Sequence, residues 1–175
     1  MDDVAVSNVA MAFLALAFGW AGLRKLHDRP AFAAVIVRLV PGLRVRAAHL
    51  SVAIPIAEII GAICIAGLEA RAGALIIGAL LVVSTIAVVG GRGALSTGGC
   101  GCLWPGATTS VGALVLRNVG LLAAALVVLL ETEPLGWSIA TALAGLALLG
   151  SLLLVEAATA EISSPGVAEA GHSVG

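Results

Sequence analysis

Five stretches of about 20 apolar residues decide what this chain can become, because a helix of that length, rising 1.5 Å per residue, crosses a bilayer core about 30 Å thick. They cover residues 4–23, 48–68, 72–89, 111–130 and 135–155. Few carry a polar stripe, which is the pattern of helices that face lipid and one another. Charged residues make up 11% of the 175 and hydrophobic residues 61%, with a mean hydropathy of +1.15. A soluble domain carries roughly 25% charged residues. The composition therefore excludes a soluble globular enzyme, a disordered chain and a nucleic-acid binder, and a net charge of −1 implies no polyanionic partner. The expected fold class is all-α: a polytopic transmembrane helix bundle with five spans, a four-helix core plus one. It forms a single unit over residues 1–156, embedded in a lipid bilayer as a multi-pass plasma-membrane protein. The small, polar and acidic stretch 157–175 is expected to be a disordered tail.

The first span is read as retained. Asp2 and Asp3 precede it and Arg24 and Lys25 follow it, the reverse of a cleavable signal. Arg24 and Lys25 then serve as interfacial anchors and topology determinants. In the connection that follows, Pro30 opens a helical pattern that Pro41-Gly42 closes, with Phe32, Val35, Ile36 and Leu39 at i, i+3, i+4 and i+7. A short interfacial amphipathic helix is predicted there. Glu69-Ala70-Arg71 makes the second connection, a tight turn. Gly61, Gly67, Gly73, Gly78, Gly112, Gly120, Gly145 and Gly150 are expected to let helix backbones approach closely. Arg24, Lys25, Arg29, Arg38, Arg44 and Arg46 all lie in the first connection, and Arg92 precedes the third. The positive-inside rule puts both connections in the cytoplasm.

Cys100-Gly101-Cys102, in the run STGGCGCLWPG, is the sharpest chemical feature. Cα atoms at i and i+2 lie roughly 5.5–7 Å apart, overlapping the disulfide range of about 4.4–6.8 Å. A bridge across so small a ring is strained, and strained disulfides are exchange-active. Arg92 and the N-terminal end of the fourth span would favour a thiolate, and Trp104 stands beside the pair as a cover or as a headgroup-level aromatic. The plainer alternative is two small residues in a Gly-rich loop. A metal site lacks companions, since His27 and His49 are not at ligand spacing. Cys64, inside the second span, reads as a small buried hydrophobe.

Glu58 and Arg117 are ionisable residues inside spans, which demands an interior position and a partner. Counted from the span starts, Glu58 is ~15 Å deep and Arg117 ~9 Å deep. A long guanidinium can close that gap, so the two are expected to form a buried polar pair, with Asn118 in support. Pro55 frees a backbone carbonyl one turn back from this level.

Taken together, FGWAGLRKLHDRPAF at 18–32, IPIAEIIG at 54–61, CGCLWPG at 100–106 and LRN at 116–118 resemble the methylamine-utilisation protein MauE family, related to DoxX-like membrane proteins. The resemblance implies an integral membrane protein acting with a thioredoxin-like partner in maturation, including disulfide formation, of the small subunit of methylamine dehydrogenase as client. It carries Cys100 and Cys102 over as redox thiols, and Glu58 and Arg117 as the buried pair. Relatives more often have Phe-Gly after the second Cys where this chain has Leu103-Trp104. The resemblance also favours an extracytoplasmic Cys loop, against the charge count.

The leading functional reading is thus a thiol–disulfide oxidoreductase in the membrane, with a quinone as candidate electron acceptor and no metal. A non-catalytic scaffold or assembly subunit is the second reading, and a small carrier built around Glu58 is the third.

Overall fold

The computed structural model describes residues 2–91, 111–130 and 139–162. These form six α-helices: α1 (Asp2–His27), α2 (Arg29–Leu39), α3 (Ala47–Ile63), α4 (Ala70–Gly90), α5 (Val111–Leu130) and α6 (Ile139–Ile162). There is no strand among the described residues. Four stretches are long and apolar enough to cross a membrane: Val6–His27, Ala47–Gly67, Ala70–Gly90 and Val111–Leu130. α6 carries a shorter apolar stretch, Thr141–Ser151. The polytopic bundle expected from hydropathy is therefore what forms. α6 continues to Ile162, past the expected boundary at 156.

α1 is the hub, packing along α3, α5 and α6. Its inward face is built largely from small residues, with Ala12, Ala15, Ala17 and Ala21 buried beside Met11, Leu14 and Phe18. Ile77 and Leu81 of α4, Leu121 and Val128 of α5 and Leu149 of α6 complete the core. Outside, the pattern inverts. Leu75, Val83, Ile86, Leu116, Val119 and Leu126 are exposed, while Ser7, Ser51, Glu58 and Asn118 are buried. Large aliphatics outward and polar groups inward is the arrangement lipid favours.

Three glycines set helix spacing by lacking a Cβ. One added at Gly73 would lie 2.6 Å from the carbonyl oxygen of Gly61 and from the amide nitrogen of Ile65, so α4 lies directly on the α3 backbone. One at Gly145 would lie 2.9 Å from Ala12 Cβ and 3.0 Å from the Phe13 nitrogen, fixing α6 on α1. One at Gly22 would lie 2.9 Å from the Pro55 carbonyl oxygen, fixing α1 on α3. Gly61 is a tight contact as well, 2.9 Å from Ile77. By contrast, Gly67, Gly120 and Gly150 have open space around the Cβ position.

α2 follows the expected pattern. The Asp28 carboxylate accepts a hydrogen bond from the Ala31 amide (3.2 Å), and proline occupies the first turn. Ile36 is buried, and Val35 and Leu39 pack on Val88 of α4 and Leu114 of α5. A 3₁₀ turn, Pro41–Leu43, then leads toward α3. α3 ends in a π-helical turn, Cys64–Leu68, closed by the Glu69 amide donating to the Cys64 carbonyl (3.0 Å). α4 starts directly after Glu69, so Ala70 and Arg71 belong to the helix rather than to the expected turn.

Candidate functional site

The site is built where α1, α2 and α3 meet. Gly22 brings α1 onto α3 at Pro55, and one turn later on α1 stands Lys25. Glu58 lies one turn beyond Pro55 on α3. The close approach therefore faces the ammonium toward the carboxylate. Lys25 Nζ donates to Glu58 Oε1 in an ion pair whose side chains are only 13% and 6% exposed. The other carboxylate oxygen, Oε2, is buried without a hydrogen-bond partner among the described residues. Phe32, from the start of α2, places its ring 5.3 Å from Lys25 Nζ, a cation–π contact on the ammonium. The cap at Asp28 holds the α2 end that carries this ring.

The ion pair corrects two expectations. Glu58 forms its ion pair with Lys25 rather than with Arg117, because α3 packs against α1, α2 and α4. Lys25, expected to stand free as an interfacial anchor, instead turns its ammonium into the bundle to pair with Glu58. Matching depth along two spans says nothing about which helices are neighbours, and that is where the expected pairing went wrong.

Arg117 is half-buried on α5, with Nη2 3.5 Å from Asn118 Oδ1. Asn118 is 4% exposed and ties α5 to α4. Its amide nitrogen donates to Ser84 Oγ (3.3 Å) and Thr85 Oγ1 (3.0 Å). Both hydroxyls in turn donate to the Leu81 carbonyl, at 3.0 and 2.7 Å. The side-chain hydrogens of Asn118, Ser84 and Thr85 are thus all used, as polar groups between membrane helices require. Sequence reasoning singled out Asn118 but missed Ser84 and Thr85; two adjacent hydroxyl residues in an otherwise apolar span were the available signal.

Cys100, Cys102, Arg92 and Trp104 lie outside the described residues. The ends of their segment are described. α4 closes at Gly91, where an added Cβ would lie 3.0 Å from Leu39 Cα of α2, and α5 opens at Val111, which like Leu39 packs against the cluster of Val88 and Leu114. The segment thus joins helix ends on the side of the bundle occupied by α2, where α1 ends and α3 begins. Cys64 is a free, half-buried thiol at the opposite end of α3. His27 and His49 are exposed. Among the described residues, no group of three or more His, Cys, Asp or Glu could hold a metal ion.

Long apolar helices with charge inside and aliphatic residues outside define a multi-pass membrane protein. The chain belongs to the MauE family: the model described as methylamine utilisation protein MauE matches residues 3–131. Membership associates it with methylamine utilisation. The match spans α1 to α5 and stops short of α6. Comparison with curated proteins found no match, and comparison with solved structures found none.

Proposed function

We propose that this protein is a thiol–disulfide exchange component of the plasma membrane that matures a client protein through Cys100 and Cys102. The observation that carries the reading is the C-G-C run inside the segment that the MauE match covers. A client thiolate attacks one sulfur of the Cys100–Cys102 disulfide and forms a mixed disulfide. The client's second thiolate then displaces the protein's cysteine, leaving the client oxidised and the C-G-C pair as a dithiol. Two electrons and two protons have moved from client to C-G-C. A thioredoxin-like partner in its disulfide form takes them back by the same two exchanges in reverse. A quinone is the candidate final acceptor.

Two features support the reading. The segment joins helix ends on the same side as α2 and the first connection. Cys64 sits past the far end of α3, ~26 Å along the helix from its start, which keeps it away from the helix ends that the segment joins.

The test is trapping in native membranes. Cys100→Ser and Cys102→Ser should each accumulate or abolish a covalent adduct with the thioredoxin-like partner, and Cys64→Ser should leave it unchanged. Full client maturation by the double serine variant would reject exchange in favour of a scaffold. Membrane-impermeant thiol labelling in intact cells decides which side the pair faces.

A further inference from the structure

We propose that the surface formed by Arg38, Arg44 and Arg46 binds the headgroups of anionic phospholipids, with Val45 inserted at the boundary between headgroup and acyl chain. The inference is independent of the thiol chemistry. Between Arg24 and Arg46 the chain carries six basic residues and a single acidic one, Asp28. Lys25 is neutralised inside by Glu58, and Asp28 is engaged in capping α2. Arg44 and Arg46 thus leave positive charge at the surface, and Arg29 and Arg38 are exposed beside them in the same stretch. Arg44 and Arg46 make no ion pair among the described residues.

Depth identifies what this charge meets. The apolar span Ala47–Gly67 begins directly after Arg46 and is 21 residues long. That is ~31 Å of helix, the thickness of the hydrocarbon layer, so Arg44 and Arg46 stand at phosphate level. Between them Val45 is 92% exposed, an aliphatic side chain with essentially no protein cover. Such a residue flanked by two guanidiniums suits a membrane boundary, where the arginines reach phosphate and the valine turns to acyl carbon. It does not suit a face meant for water.

α2 makes the arrangement rigid. Its apolar side is already occupied, with Ile36 buried and Val35 and Leu39 packed on α4 and α5. Arg38 is therefore presented from a helix docked on protein. Guanidinium forks pair with phosphate in two parallel hydrogen bonds. A phosphatidylcholine phosphate is balanced by its own choline, whereas phosphatidylglycerol and cardiolipin keep their net charge, so the surface should select the latter.

The experiment measures lipid binding to the purified full-length protein in neutral detergent, by native mass spectrometry with phosphatidylglycerol and phosphatidylcholine in competition. Wild type should retain phosphatidylglycerol in preference. The Arg38→Gln/Arg44→Gln/Arg46→Gln variant should weaken its binding by about fivefold per arginine, about a hundredfold in all. Val45→Asp, which keeps all three arginines, should weaken it too. Arg71→Gln, at the opposite end of the bundle, should not. Wild-type preference in the triple variant, or an equal loss from Arg71→Gln, overturns the proposal. So does full competition by inorganic phosphate, which would mark a free-anion site rather than a lipid surface. Because the substituted residues are exposed, a thermal unfolding curve matching wild type in phosphatidylcholine confirms that any loss reports binding and not misfolding.

Discussion

Removing either half of the Lys25–Glu58 pair should destabilise the bundle, but by unequal amounts. Lys25→Met strands a carboxylate whose side chain is 6% exposed and whose Oε2 has no hydrogen-bond partner among the described residues. Glutamate has a short stem and Glu58 sits in mid-helix, so it cannot turn toward water. The cost should be about 3–5 kcal/mol, the range for an orphaned buried charge. Glu58→Met strands Lys25, which is two residues from the end of α1 and keeps the Phe32 ring. Its four-carbon stem can carry the ammonium outward, so this variant should lose only the charged hydrogen bond, about 1.5–3 kcal/mol. The double variant Lys25→Met/Glu58→Met removes both charges and should cost far less than the sum of the two, since apolar replacement of buried ion pairs is often neutral. Reversible unfolding in mixed micelles by detergent titration, with all four proteins compared, gives the cycle. Additive losses would show that the two side chains do not interact, and a larger loss for Glu58→Met than for Lys25→Met would refute the argument from reach.

Other outcomes follow from packing. Gly73→Ala should cost about 1–3 kcal/mol, because its Cβ would meet backbone atoms of α3 at 2.6 Å, whereas Gly120→Ala, with open space at that position, should be close to neutral or stabilising in the same unfolding assay. Gly145→Val should loosen α6 from α1 and raise hydrogen exchange along α6 without unfolding the four-span core. Asn118→Ala loses two interhelical hydrogen bonds, each worth about 0.6 kcal/mol in a membrane, so a total near 1 kcal/mol is expected, limited because Ser84 and Thr85 keep their bonds to Leu81.

Four of the five expected spans were legible because hydropathy over 20 residues is a strong signal that needs no partner information, while the fifth corresponds to the shorter apolar stretch Thr141–Ser151. α2 was legible too, since Asp28, Pro30 and the spacing of Phe32, Val35, Ile36 and Leu39 all act within one helix. What failed was everything that depends on adjacency. That Glu58 needs a buried partner was readable; that Lys25 supplies it was not, because this follows from α1 lying on α3, which Gly22 permits and no periodicity reveals. Glycines behaved likewise. Gly61, Gly73 and Gly145 sit at tight crossings, and Gly67, Gly120 and Gly150 do not, because the absence of a Cβ allows close approach without providing a neighbour. The π-helical turn at Cys64–Leu68 had no sequence signature at all.

The polar clasp between α4 and α5 has an evolutionary consequence. These two helices are registered by Asn118 reaching Ser84 and Thr85 and by Gly78 standing 3.8 Å (Cβ position) from Leu122, contacts made along the helices themselves. The pairing of α4 with α5 is held by contacts within the two helices themselves. Doubling the length of the connection between them would cost only about 0.6 kcal/mol in closure entropy. A change in the length of that connection should therefore carry little penalty in stability. A family built on this bundle could vary the length of that connection while leaving the helices untouched.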